Sequence, residues 1–184
     1  MFTLSETQQQ ALRDNVWLHF YQMGSMASGQ PTVLVRGEGV RVWDQTGREY
    51  IDGLSGLFAV NAGYGRREII DAIAAQLADI SFVSPFSFPS LPLIDLAAKL
   101  AQLSPTGPDS RSFFVSGGSE AVETALKIAK AYQLKRGYPQ RTKTISRRVA
   151  YHGTTMGALS VNGLTSIRNG FGPLVPGARH VPLP

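Results

Sequence analysis

Residues Arg111 to Ala131 constrain what this chain can fold into more than any other stretch. An apolar run, Phe113 to Val115, meets a tight turn, Ser116, Gly117, Gly118 and Ser119. From Glu120 the apolar positions Val122, Ala125, Leu126, Ala129 and Tyr132 recur at three- and four-residue steps. The pattern predicts a strand, a loop and a helix. Such a junction aims free backbone N–H groups and the positive end of a helix dipole at one point, and its glycines let an anion approach the backbone. Its default occupant is a phosphate.

The chain has 184 residues, 43% of them hydrophobic and 17% charged, enough to bury a core. All 13 acidic residues lie at or before Glu123, together with 8 of the 18 basic ones; Thr124 to Pro184 carries 10 basic residues and no acidic one. That basic surplus follows a helix and its exit without RNA-reading aromatics or a DNA-binding pattern, so no nucleic-acid partner is expected. The start, Met1 to Gln10, has neither the basic residues nor the apolar core of a signal peptide. No apolar run approaches the roughly 18 residues of a membrane span, so a cytoplasmic protein without a membrane partner is expected. With no cysteine, disulfides and thiolate chemistry are excluded. His19, His152 and His180 have no ligand spacing, and no metal is expected.

Taken in order, Glu6 to Phe20 reads as a helix through Leu12, Val16 and Phe20, followed by an aromatic patch (Trp17, His19, Phe20, Tyr21) that fits core or subunit packing. Thr32 to Asp52 reads as a small antiparallel meander, with turns at Gly37-Glu38-Gly39 and Asp44 to Gly47. In Asp52 to Gly65 four glycines interrupt apolar residues and no single period fits, which marks a loop beside something buried. Arg66 to Ile80 and Leu91 to Leu103 read as amphipathic helices, and Thr144 to Ala150 as a strand. Joining Phe113–Val115 to that strand through the long helix predicts a parallel sheet with the ligand at the strand ends. Ala158 to Leu164 is expected to be a short helix, and no closing strand is expected before Pro184.

Several phosphate ligands can be weighed. The chain has no G-x-x-x-x-G-K-S/T, since Lys127 lies nine residues beyond Gly118, and no G-x-G-x-x-G, which disfavours nucleotides and dinucleotides. Gly117 to Ala121 misses the hydrolase pattern G-x-S-x-G only at its last position, but a triad needs an acid between the serine and a histidine, and no acid follows Glu123.

The third ligand is pyridoxal phosphate. Phe113 to Lys127 and Tyr151-His152-Gly153 resemble the class III, or ω-, aminotransferases of fold type I. Gly37 to Asp44, Tyr50 to Gly53, Gly63-Tyr64-Gly65 and Phe171-Gly172-Pro173 match the same family in order. The resemblance implies an α/β fold, the start of a fold type I large domain: a mostly parallel sheet with helices on both faces, preceded by an N-terminal helix and small antiparallel β meander. It divides the chain into residues 1–60, part of the small domain, and 61–184, the first half of the cofactor-binding domain.

By the same resemblance, Gly117, Gly118 and Ser119 bind the cofactor phosphate, Tyr151 stacks on the pyridine ring, His152 shapes the site, and Leu57 and Phe58 line the substrate pocket. Taken without the family, Tyr151 reads more readily as a core aromatic than as a stacking partner. The implied reaction moves an amino group from an amine or ω-amino acid to a keto acid, pyruvate or 2-oxoglutarate, in a homodimer. The Schiff-base lysine and the acid that pairs with the pyridinium nitrogen are expected to be absent from this chain: Lys99, Lys127, Lys130, Lys135 and Lys143 lie outside the family's lysine context, and no acid follows Tyr151 to Gly153. Two alternatives stand beside this, a non-catalytic phosphate-binding or interaction remnant of the same fold and, more remotely, a serine hydrolase with Ser119 as nucleophile.

Overall fold

The computed structural model describes residues 2–27 and 31–183. Two compact units divide between Ser90 and Leu91, and each is taken by itself. The first, Met1–Ser90, opens with α1, Glu6–Asn15. Ser5 caps it reciprocally: its hydroxyl accepts the Gln8 N–H at 3.2 Å, and the Gln8 carboxamide accepts the Ser5 N–H at 2.9 Å. The helix stops at Asn15 and does not reach Phe20 as its spacing suggests. Val16 is extended and Phe20 takes φ +53°, which a right-handed helix excludes. Trp17 and Phe20 are 84% and 81% exposed, so the aromatic patch forms no core within this unit.

The expected meander is present as β1 (Leu34–Glu38), β2 (Arg41–Asp44) and β3 (Glu49–Ile51), antiparallel in the order β1-β2-β3, but Gly37 and Glu38 pair with β2 and the first turn lies at Gly39 and Val40. Asp44 knots the β2–β3 turn. Its buried carboxylate accepts the Thr46 N–H (2.8 Å) and hydroxyl (2.7 Å), the Arg48 N–H (3.0 Å) and the Tyr50 hydroxyl (2.8 Å). These donors, the Thr46 hydroxyl first, hold its pKa at about 2 against the opposing effect of burial.

Tyr64 joins three of the glycine motifs. Its backbone exchanges two hydrogen bonds with Gly39, at 3.0 and 2.8 Å, and its ring lies where a Cβ on Gly37 would stand. Only glycine at position 37 allows that approach. The amphipathic helix α3, Arg67–Asp79, follows within a residue of its expected bounds.

The second unit, Leu91–Pro184, holds α4 (Leu91–Leu103), α5 (Gly118–Lys135), β4 (Thr144–Arg147), α6 (Met156–Val161), α7 (Thr165–Arg168) and β5 (Ala178–Val181). β4 and β5 pair in parallel, Thr144 opposite Ala178 through Arg147 opposite Val181. The parallel sheet is therefore real and contains the strand expected from Thr144, ending at Arg147 rather than Ala150, but its partner is β5 and not the one expected. Phe113–Val115 joins no sheet among the described residues, because no strand lies beside it there to take up its backbone groups. Conversely, the last segment does contain a strand. The helix expected over Ala158–Leu164 begins two residues earlier and ends at Val161, with α7 following separately.

The core of this unit is α6, in which Gly157 to Val161 are all buried, packed against α5, β4 and β5. By contrast, α3 and α4 contain no buried residue, and Ile69, Ile70, Ile73 and Leu77 stand roughly half exposed along α3.

Candidate cofactor-phosphate site

The turn before α5 is an open anion cradle. Gly117 is the N-cap, extended and without any side-chain cap, and Gly118 begins the helix. A Cβ at either glycine would meet nothing within 4 Å, so the backbone there is bare to a ligand. The first helical hydrogen bond runs from Ala121 N–H to Gly117 C=O, at 3.0 Å; the amides of Gly118, Ser119 and Glu120 have no acceptor among the described residues. Glu120, whose charge would compete with an incoming anion, is engaged by the Ser116 N–H at 2.8 Å.

Ser119 completes the donor set. Its Oγ accepts the Thr154 N–H at 3.0 Å, which leaves the hydroxyl proton available to an anion. Three backbone amides and one hydroxyl at the positive end of an 18-residue helix suit a phosphate dianion. The residues present fit the phosphate of pyridoxal phosphate on that ground.

The same bond ties the segment after β4 to the cradle. Gly153 is buried with φ +110°, and a Cβ there would run into the Ser119 side chain and backbone. Its carbonyl accepts from Asn162 Nδ2 at 2.9 Å, and Asn162 is fully buried. Glu123, one turn into α5, makes a second tie. Its Oε1 accepts the Thr155 hydroxyl (2.7 Å) and the N–H groups of Gly157 (2.8 Å) and Ala158 (3.1 Å) at the start of α6. The Thr155 hydroxyl chiefly, with those amides and the nearby Lys127, holds the Glu123 pKa below the usual carboxylate range despite partial burial.

Tyr151 and His152 are thereby carried to the α5 N-terminus by Gly153 and Thr154. The Tyr151 ring is 58% exposed, so within the described residues it is not a core aromatic. His152 is half-buried and lines an open cavity of about 410 Å³ with Val122, Leu126, Ser146 and Val161.

Leu57 and Phe58 belong to the other unit, and are 71% and 73% exposed. They sit in α2, Ser55–Phe58, a single turn of left-handed sense: φ is +50°, +58°, +60° and +66° from Ser55 to Phe58. Left-handed backbone costs roughly 1–2 kcal/mol at each non-glycine residue, and three of the four are non-glycine. Strain of this kind gathers where a side chain must be held in one place.

Glu123, Thr154, Thr155 and Asn162 have no local signature in the sequence, where Glu123 stands out only as the last acidic residue. Their partners are 32 to 35 positions away for Glu123 and Ser119.

A glycine-rich anion cradle heading a long helix, in a unit that also holds a parallel strand pair, defines an α/β class of protein with a site suited to a phosphorylated ligand. The family described as Aminotransferase class-III matches residues 24–184, and the chain belongs to it. A probable aminotransferase of Mycobacterium tuberculosis is 48% identical over 168 residues, covering 91% of this chain and 35% of that protein. An omega-aminotransferase of Caulobacter vibrioides is 40% identical over 152 residues, covering 83% and 34%. The solved (S)-enantioselective omega-transaminase of Thermomicrobium roseum is 43% identical with a TM-score of 0.91, covering 100% of this chain and 41% of that one. The omega transaminase of Pseudomonas jessenii in complex with PMP superposes at 0.90 with 32% identity, over 98% and 40%.

The fold is thus the N-terminal part of a fold type I transaminase. The chain spans about a third of the length of the curated relatives it matches. The family is one of pyridoxal-phosphate-dependent transferases. No helix among the described residues is long and apolar enough to cross a membrane.

Proposed function

We propose that this chain forms the cofactor-phosphate half of a pyridoxal-phosphate-dependent transaminase, taking an amine or ω-amino acid as donor and a keto acid, pyruvate or 2-oxoglutarate, as acceptor. The observation that carries the reading is the cradle of unengaged amides at Gly118, Ser119 and Glu120, with the Ser119 hydroxyl proton freed by the Thr154 N–H. Gly117, Gly118 and Ser119 bind the phosphate, Tyr151 lies against the ring, His152 closes the site beneath, and Leu57 and Phe58 wall the amine pocket. Phenylalanine at position 58 makes an apolar wall. When bound, the cofactor supplies an electron sink for proton removal at the amine-bearing carbon; this chain's residues anchor and orient it.

The lysine that carries the cofactor and the acid facing its ring nitrogen lie, in this reading, outside the 184 residues. The domain division is 1–60 and 61–184, and the working protein is a cytoplasmic homodimer. The exposed apolar stripes of α3 and α4 support a role for further protein surface in covering them.

Titration with pyridoxal 5′-phosphate and with pyridoxal, which lacks the phosphate, tests the reading. The phosphorylated form is expected to bind more tightly, and Ser119→Ala to weaken it about tenfold, the loss of one hydrogen bond to a charged group. Equal affinity for the two compounds would refute the phosphate assignment.

A further inference from the structure

The left-handed turn Ser55–Phe58 is held from one point. The Asp52 carboxylate accepts the Leu54 N–H at 3.1 Å through Oδ1, and through Oδ2 the Gly56 N–H at 2.7 Å and the Tyr64 hydroxyl at 2.8 Å. Gly56 occupies the centre of the turn at φ +58°, where a Cβ would stand 2.7 Å from Val60 Cγ2 and 3.2 Å from the Tyr64 hydroxyl. The far side of the turn closes on itself: Phe58 N–H donates to Leu54 C=O at 2.9 Å, and Val60 N–H to Ser55 C=O at 2.8 Å.

Tyr64 cannot follow the turn if the turn moves. Its backbone is paired to Gly39 and its ring is seated over Gly37, so its hydroxyl is fixed by the β1–β2 hairpin. The glycines at 37, 39 and 56 and the pair Asp52–Tyr64 therefore make one frame, anchored on the meander and ending at Leu57 and Phe58. A left-handed turn with three non-glycine residues persists only where surrounding contacts over-determine it. Both side chains that it carries are more than two-thirds exposed, so their own packing does not hold it.

We propose that Asp52 is a positioning residue for amine selectivity: its carboxylate, braced by Tyr64, locks the Ser55–Phe58 turn and thereby sets where Leu57 and Phe58 stand in the amine pocket. The assignment rests on the reading that these two side chains wall that pocket. Asp52 touches no reacting atom in this account. It acts through the backbone of the turn, and its loss moves the pocket wall without altering the phosphate cradle, all of whose residues lie in the other unit.

Asp52→Asn keeps one oxygen acceptor and replaces the other with an NH2 group, so Leu54, Gly56 and Tyr64 cannot all keep their bonds. Tyr64→Phe removes one bond only. In the intact protein, hydrogen exchange read by mass spectrometry over peptides spanning residues 52–64 is expected to speed up about tenfold or more for Asp52→Asn and less for Tyr64→Phe. The second readout is the ratio of kcat/KM for a bulky amine to that for a small one. Asp52→Asn is expected to shift this ratio about tenfold, the scale of a change in pocket shape, with pyridoxal-phosphate affinity unchanged.

Exchange unchanged in Asp52→Asn overturns the lock. Faster exchange with both amines slowed by one common factor overturns the selectivity role and leaves only a structural one. Absence of turnover of any amine by the unaltered intact protein overturns the functional reading and this assignment with it, and the exchange data still report separately whether the lock exists.

Discussion

Gly153→Ala probes the junction on which the site depends. The glycine sits at φ +110°, where an L-residue is strained by roughly 1–3 kcal/mol. Its new methyl would also stand 2.9 Å from Ser119 Cβ and 3.0 Å from Ser119 Cα, closer than real side chains come, and closer still to the hydroxyl. Overpacking of this kind costs roughly a further 1–3 kcal/mol. The two contributions separate in a double-mutant cycle with Ser119→Gly. The backbone strain persists in that background, and most of the steric part is relieved because the Ser119 side chain has gone.

A coupling energy of about 1–3 kcal/mol is therefore expected between positions 119 and 153, which are far apart in the sequence and meet only in space. The assay is native-state hydrogen exchange of the α6 amides, including Leu159, which is bonded to Thr155 C=O. Gly153→Ala alone should open α6 most, and the double variant should recover roughly tenfold or more in protection relative to the additive expectation. Additivity within about 0.5 kcal/mol would refute the claim that Ser119 and Gly153 are in mutual contact.

Glu123 gives a pH-dependent counterpart. Its folded pKa lies below the ordinary value of 4.5, so its contribution is fully present above that value and is lost as pH falls through the lower folded one. Because Oε1 takes all three donors, Glu123→Gln is expected to cost only about 1 kcal/mol and to flatten the acid dependence of α6 protection, while Glu123→Ala, which strands three donors, should cost about 3 kcal/mol. Asp44→Asn should lower the midpoint of thermal unfolding of the meander, read by Trp43 fluorescence. With Asp44 near 2 in the folded chain against 3.8 ordinarily, the wild-type advantage is present above about pH 4 and fades toward pH 2, where the two proteins converge.

The parts of the fold that were legible in the sequence are those held by local pattern. Alternation and two tight turns mark the β1–β3 meander, and three- and four-residue spacing marks α3 and α4, the latter at its observed bounds, Leu91–Leu103. What escaped is long-range. β5 is four residues among prolines and glycines, and its partner in β4 lies 34 positions earlier, so nothing local announces the pairing. Phe113–Val115 has a strand's composition, but a strand is completed only by its neighbours. The α2 turn left a trace, the absence of any single period over Asp52 to Gly65, because left-handed backbone presents neither helical nor strand spacing. In the site, the glycine-rich turn was readable since its function lies in the backbone. The ties from Ser119 and Glu123 to residues 154–158 were not, because a serine and a glutamate on a helix carry no mark of a partner more than 30 residues away.

The central claim is that this chain holds the cofactor's phosphate and not the lysine that carries the cofactor. Reduction of the intact protein with borohydride in the presence of pyridoxal phosphate, followed by peptide mapping, tests it most directly. The account predicts a single stoichiometrically labelled lysine outside the 184 residues, with Lys99, Lys127, Lys130, Lys135 and Lys143 unlabelled. A stoichiometric label on any one of those five would contradict it.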